Sequence, residues 1–298
     1  MTSAAGLRVA VLGPGGVGGL LAALLVRAGA SVTCLAGART AAILRTAGMR
    51  VTSAMFGDFV AHVDAAERLS EPVDVCVIAV KATQLAEALE RVPADVLGSA
   101  VVVPLLNGVE HVSLLRERYP QATVVGAAIR VESSRSEPGV IVHDSPFVTV
   151  DLAANPAVEQ FAAALEEAGV TVRRSEREPA VLWAKLAFLA PFALLTTSAV
   201  ATAGEVREQR RADLVALVGE VAAVARAEGA PADDRQVLDF FDGVPAGMRS
   251  SMQRDAEAGR PLELDAIGGA VVRLGARHGI PTPVTNRYVE ELRARYPS

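Results

Sequence analysis

The chain has 298 residues, 51% of them hydrophobic and 21% charged, enough to fill a sizeable core and too apolar for a disordered chain. A net charge of −5 without any long Lys/Arg run excludes a nucleic-acid backbone as partner. The two cysteines, Cys34 and Cys76, fall in apolar strand patterns and read as small core residues, which excludes a disulfide framework or a metal site.

Residues 1–6 lack the basic stretch and apolar core of a signal peptide, so the expectation is a soluble, cytoplasmic protein. Residues 7–12 form a short apolar strand running into a glycine-rich loop, and residues 20–28 read as an Ala/Leu helix ended by Gly29. A second strand over 31–35 and a short helix over 41–47 follow. A third strand spans 73–80, a helix 83–91, and further strands 101–106 and 123–128. Repeating strand–helix units predict a doubly wound parallel sheet of the Rossmann type. Around Pro138-Gly139 the pattern turns to short strands over 140–143 and 147–151, then a helix and a strand near 170–172. Beyond Arg177 only helices are predicted, broken at Gly204, Gly229, Gly243 and 259–261. The polar stretch 173–178 marks the border, giving an α/β dinucleotide-binding domain over 1–176 and an all-helical substrate domain over 177–298.

Residues 186–204 are uncharged and long enough to cross a bilayer. Pro191, Thr196, Thr197, Ser198 and Thr202 interrupt them, and no aromatic belt flanks both ends, so the reading is a core helix and no membrane partner.

The loop Gly13-Pro14-Gly15-Gly16-Val17-Gly18 follows a strand and opens a helix, the context in which G-x-G-x-x-G binds a dinucleotide. Gly13 permits the turn, Gly15 lets the backbone approach the pyrophosphate, and Gly18 lets helix and strand pack. After the second strand the chain reads Cys34-Leu35-Ala36-Gly37-Ala38-Arg39, and the first acidic residue is Asp58. A site without the usual carboxylate for a ribose 2′-hydroxyl, and with Arg39 nearby, suits the 2′-phosphate of NADP(H). Arg39 is equally readable as a solvated residue at a helix start.

Lys185 is the only charge between residues 180 and 204, in a helix expected to be buried. Desolvation lowers a lysine's pKa and makes it a competent proton donor; the alternative is a lysine that snorkels from the helix edge. Lys81 and Asn107 lie just past strand ends, where doubly wound sheets bind ligands, although Asn107-Gly108 also fits a plain turn. Glu263 follows a Gly-Arg-Pro break, placed either to pair with Lys185 or to favour a helix dipole. Ser251 either holds a substrate carboxylate or caps a helix.

Five landmarks stand in order: the glycine loop, Val80-Lys81-Ala82-Thr83-Gln84, Leu106-Asn107-Gly108-Val109-Glu110, Leu182-Trp183-Ala184-Lys185-Leu186, and Arg249-Ser250-Ser251-Met252 with Glu263 twelve residues after Ser251. Over nearly its whole length the chain resembles the ketopantoate reductase family. The resemblance implies NADPH-dependent reduction of a small keto acid in pantothenate biosynthesis. It further implies Lys185 as general acid with Glu263, Asn107 and Ser251 on the substrate side, and Lys81 beside the cofactor. Three positions depart from the family's asparagines: Leu189, Ala193 and Met248. Its usual basic residue after the second strand falls on Gly37. The three asparagine replacements remove polar contacts on the substrate side and point toward a bulkier or more apolar 2-keto acid, or another ketone. The residues also leave open a 3-hydroxy-acid dehydrogenase and a non-catalytic NADP(H)-sensing regulator. They leave open a homodimer as well, because the apolar helix after Lys185 faces either a partner copy or the core.

Overall fold

The computed structural model describes residues 4–296, so the first three residues of the N-terminal stretch read above lie outside it. The chain divides into two compact units: one comprises the chain to Leu106 with His111–Glu178, the other Asn107–Glu110 with everything from Pro179. Four residues of the loop that carries Asn107 therefore belong with the helical unit. The polar stretch read as a border is in part a strand, Thr171–Ser175.

The first unit is built on a six-stranded parallel sheet. Its spatial order is Asp64–Ala66, Ser31–Leu35, Arg8–Leu12, Val75–Ile78, Val101–Pro104 and Thr123–Val124. Every pairing in it is parallel. Val75–Ile78 and Val101–Pro104 are buried throughout, as strands covered on both faces must be. The sequence order reverses across Arg8–Leu12, so ligand binding is expected beyond the carboxyl ends of the strands there.

Two smaller mixed sheets accompany it. One joins Ser133–Glu137, Val140–His143, Met49–Ser53 and Phe59–Ala61, and the other joins Thr171–Ser175, Thr149–Ala153 and Ala127–Arg130. The strand expected over 123–128 is two strands in different sheets. The break falls at Gly126, whose N–H donates to Glu178 Oε2 at 3.0 Å and whose Cβ position lies 2.6 Å from Glu178 Cγ, so a larger residue would have to displace the Glu178 side chain. The third strand is shorter than expected, and the helix after it is a 3₁₀ turn, Ala82–Gln84, leading into Leu85–Leu89.

The second unit is all-helical: Glu178–Ala199, Ala203–Gln209, Arg211–Ala227, Asp234–Gly243, Ser251–Glu257, Ala270–Arg277 and Pro283–Arg295. Gly204 lies inside a helix; the break falls before it, at Val200–Thr202, where Thr202 and Glu205 form a reciprocal capping box. The helix Glu178–Ala199 is long and apolar enough to cross a membrane, but 72% of its most apolar stretch is buried, as in a core helix.

Cys34 and Cys76 are both fully buried, and burial pushes their thiols up to about 12. In the unfolded chain a thiol ionises near 8.5. Unfolding therefore releases protons in alkaline solution, and the thiols' contribution to stability, intact below about pH 8.5, is lost as pH rises toward 12. Native protein should resist iodoacetamide at about pH 8 and label at both cysteines in denaturant. Rapid labelling of the native state would contradict this placement.

Candidate active site

The glycine loop read as dinucleotide-binding lies in the first unit. The helix Gly16–Arg27 begins four residues earlier than its apolar pattern suggests, because glycines carry no helix signal. Gly13 has φ +87°, and a Cβ there would lie 2.5 Å from Val80 Cγ1, so the turn needs glycine on two counts. The Gly15 N–H donates to the Gly13 carbonyl at 2.7 Å, closing the loop. At Gly18 a Cβ would meet the Gly13 carbonyl oxygen at 2.3 Å, whereas at Gly15 it would meet nothing within 4 Å. The loop is thus packed on the protein side at Gly13 and Gly18, and open at Gly15. No side chain caps this helix, so its first N–H groups present a partial positive charge suited to phosphate.

At the end of the second strand, Arg39 is exposed in the first turn of the helix Ala38–Ala47. The sequence reading missed a second cation here. Arg91 Nη1 donates to the Glu67 carbonyl at 2.9 Å and reaches the Ala36 carbonyl at 3.5 Å, and Nη2 lies 3.9 Å from the Cβ position of Gly37. No local pattern links Arg91 to a strand end 55 residues away. Lys81 is half-buried at the start of the 3₁₀ turn, its carbonyl accepting from Gln84 N–H at 2.9 Å.

The second unit assembles the other candidates. Asn107 Nδ2 donates to Glu263 Oε2 at 2.8 Å, across 156 residues of sequence, and Glu263 is buried. Gly108, with φ +91° and a Cβ position 2.4 Å from the Ala266 carbonyl oxygen, lets this loop close against the segment after Glu263. Two residues on, Glu110 and Asp265 grip Arg273 from either side, at 2.6 and 2.8 Å. Hydrogen bonding to Glu110, then to Asp265, raises the Arg273 pKa above its ordinary value. Glu263 precedes Leu264 and a π-helical turn, Asp265–Gly269, an arrangement frequent at functional sites.

Lys185 lies on the helix Glu178–Ala199 and is half-buried, with Ala184 exposed beside it. The helix buries Val181, Leu182, Leu186 and Ala187, which leaves the lysine at the margin of that face. Ser251 is the exposed first residue of its helix, and the cap is its neighbour Ser250, whose Oγ accepts from Gln253 N–H at 3.1 Å. Ser250 in turn accepts from buried Thr196 Oγ1 at 2.8 Å. The Ser250–Gln253 spacing is a helix-start signature that identifies this cap from sequence. The preceding loop is pinned through Ala203 N–H to the Met248 carbonyl and Gly204 N–H to the Ala246 carbonyl, both at 2.9 Å.

A family model described as ketopantoate reductase PanE/ApbA matches residues 9–155, and its C-terminal counterpart matches residues 180–296. The chain belongs to the ketopantoate reductase family. It is 35% identical to a 2-dehydropantoate 2-reductase of Mycobacterium tuberculosis, over 96% of this chain and 97% of the relative. A crystal structure of a PanE/ApbA family ketopantoate reductase from Ralstonia eutropha superposes with a TM-score of 0.88 at 28% identity, over 97% and 98% of the two chains. A D-mandelate dehydrogenase solved with NADH and anilino(oxo)acetate has the same fold, with a TM-score of 0.88 at 21% identity over 97% and 98%. Against the ketopantoate reductase pattern, the three departing positions differ in setting: Leu189 is half-buried, Ala193 buried and Met248 exposed.

The open space at Gly15 yields a test. Gly15→Ala should leave the melting temperature nearly unchanged while weakening dinucleotide affinity about tenfold or more, since the new methyl group enters the space left for phosphate. Equal affinity in fluorescence titration would remove the loop from the binding site.

Proposed function

We propose that this chain reduces a branched 2-oxo acid, 2-dehydropantoate or a related keto acid, using NADPH. The observation that carries the reading is the hydrogen bond from half-buried Asn107 to buried Glu263, formed within the unit that also carries Lys185, in a chain of the ketopantoate reductase family. The open side of Gly15 and the uncapped helix start fit a pyrophosphate. Arg39 and Arg91 supply positive charge at a strand end without a carboxylate, which favours a 2′-phosphate. Lys81 adds a cation after the third strand.

When bound, a reduced nicotinamide dinucleotide supplies a hydride to the keto carbon. The balance is 2-oxo acid plus NADPH plus one proton, giving 2-hydroxy acid and NADP⁺. Lys185 Nζ carries that proton and gives it to the oxygen as negative charge develops there. Glu263 is a positioning residue for Asn107: by accepting from Nδ2 it fixes which face of the amide remains for the substrate oxygens. The exposed Ser251 hydroxyl is available to a carboxylate.

Steady-state oxidation of NADPH with 2-dehydropantoate tests the reading. Lys185→Ala should lower kcat by about 10²- to 10⁴-fold, the range for loss of a general acid. A wild-type rate in that variant would overturn the role of Lys185. For the cofactor, Arg91→Ala and Arg39→Ala should each lower the NADPH-to-NADH ratio of kcat/KM by about tenfold, as loss of a charged contact implies. A wild-type enzyme that favours NADH would overturn the NADP(H) assignment.

A further inference from the structure

Lys185 shares its helix face with an apolar stripe. Phe188, Leu189 and Phe192 follow it by three, four and seven residues, the spacings that bring side chains onto one face of a helix. Phe192 is core, but Phe188 and Leu189 are half-buried. The Phe188 ring is the hub of an aromatic cluster: it stacks on Phe192 at 5.2 Å, meets Phe240 edge-on at 4.9 Å and lies 5.7 Å from Phe241. Phe192 and Phe241 are also in contact, at 5.9 Å.

Two of these rings complete a core, since Phe192 is 2% exposed and Phe241 is fully buried. Phe240 is different. At 55% it is the most exposed large hydrophobic side chain among the described residues, on the helix Asp234–Gly243. Its contact with Phe188 carries the cluster outward from the core to the half-buried residue one turn from Lys185. Beside Phe188, Leu189 offers no hydrogen-bonding atom, and neither does Ala193 one turn further on.

We infer that Phe188, Leu189 and Phe240 form an apolar subsite for the side chain of the 2-oxo acid, and that the chain prefers an aryl or large apolar 2-oxo acid to 2-dehydropantoate. This rests on Lys185 being the proton donor to a 2-oxo acid. An aryl ring placed there gains edge-to-face contacts with Phe188 and Phe240 and removes their surface from water. The hydroxymethyl group of 2-dehydropantoate instead loses water against Leu189 without a replacement partner. The proposal concerns selection of the substrate and leaves the hydride and proton steps as they are.

The test uses the full chain with NADPH and four substrates: phenylglyoxylate, 3-methyl-2-oxobutanoate, 2-dehydropantoate and pyruvate. The kcat/KM for phenylglyoxylate should exceed that for 2-dehydropantoate by about tenfold or more, the scale on which apolar pockets discriminate. Phe240→Ala should lower the phenylglyoxylate-to-pyruvate ratio by about tenfold, and Leu189→Asn should raise the 2-dehydropantoate-to-phenylglyoxylate ratio by a similar factor. An enzyme that favours 2-dehydropantoate overturns the subsite, as does a Phe240→Ala variant that loses activity equally on every substrate. Absence of turnover on all four, with NADPH and NADH alike, overturns the reductase reading and the subsite with it.

Discussion

Glu263 is 7% exposed, and a carboxylate out of water must be met by donors. That requirement organises the helical unit around Glu263. The Asn107 amide meets it at 2.8 Å, which explains why residues 107–110 pack with the far-off segment that carries Glu263. The approach works only because Gly108 has a positive φ and no side chain to strike the Ala266 carbonyl. Arg273, held between Glu110 and Asp265, fixes the same loop and the same turn from the side. The π-helical turn after Glu263 contains Gly268 and Gly269. A Cβ on Gly268 would approach Val289 to 2.6 Å, so the unusual turn depends on small residues where the neighbouring helix closes in.

The first unit solves the opposite problem. Its loop leaves the helix start without a side-chain cap while packing tightly behind it. Gly13 and Gly18 are jammed against Val80 and against each other's backbone, and that packing holds the turn without using the groups at the helix start. Gly15 alone opens outward. The arrangement separates the residues that keep the loop's shape from the one with open space beside it.

The legible parts of this chain were those whose physics is local. Val75–Ile78 and Val101–Pro104 read as unbroken apolar runs because both faces are covered, and the loop-to-helix transition carries its own glycine pattern. Met49–Ser53 and Ser133–Glu137 were missed: the first alternates buried and exposed over only five residues, and the second is mostly exposed, so neither concentrates apolar residues. Asn107 and Glu263 could each be singled out by position, but their bond spans 156 residues and has no local trace. Lys185 was expected to be buried because its helix is so apolar. The structure places it at a margin, since an apolar helix with one exposed edge has the same composition as one buried all round.

The long helix ties selectivity to architecture. Lys185, Phe188, Leu189, Phe192 and Thr196 recur along one face over three turns. The last of these hydrogen-bonds Ser250, whose capping of the next helix sets where Ser251 stands. Toward its C-terminal end the stripe therefore carries scaffold, fully buried and hydrogen-bonded, and toward Lys185 it carries half-buried residues in contact with the exposed Phe240. Substitutions at Thr196 or Phe192 act on packing and on the position of Ser251 together, and tolerance there is low. Substitutions at Phe188 or Leu189 change what lies beside Lys185 while leaving its own helix turn in place. One helix thus carries tightly packed scaffold positions and, a turn from Lys185, half-buried positions with fewer constraints.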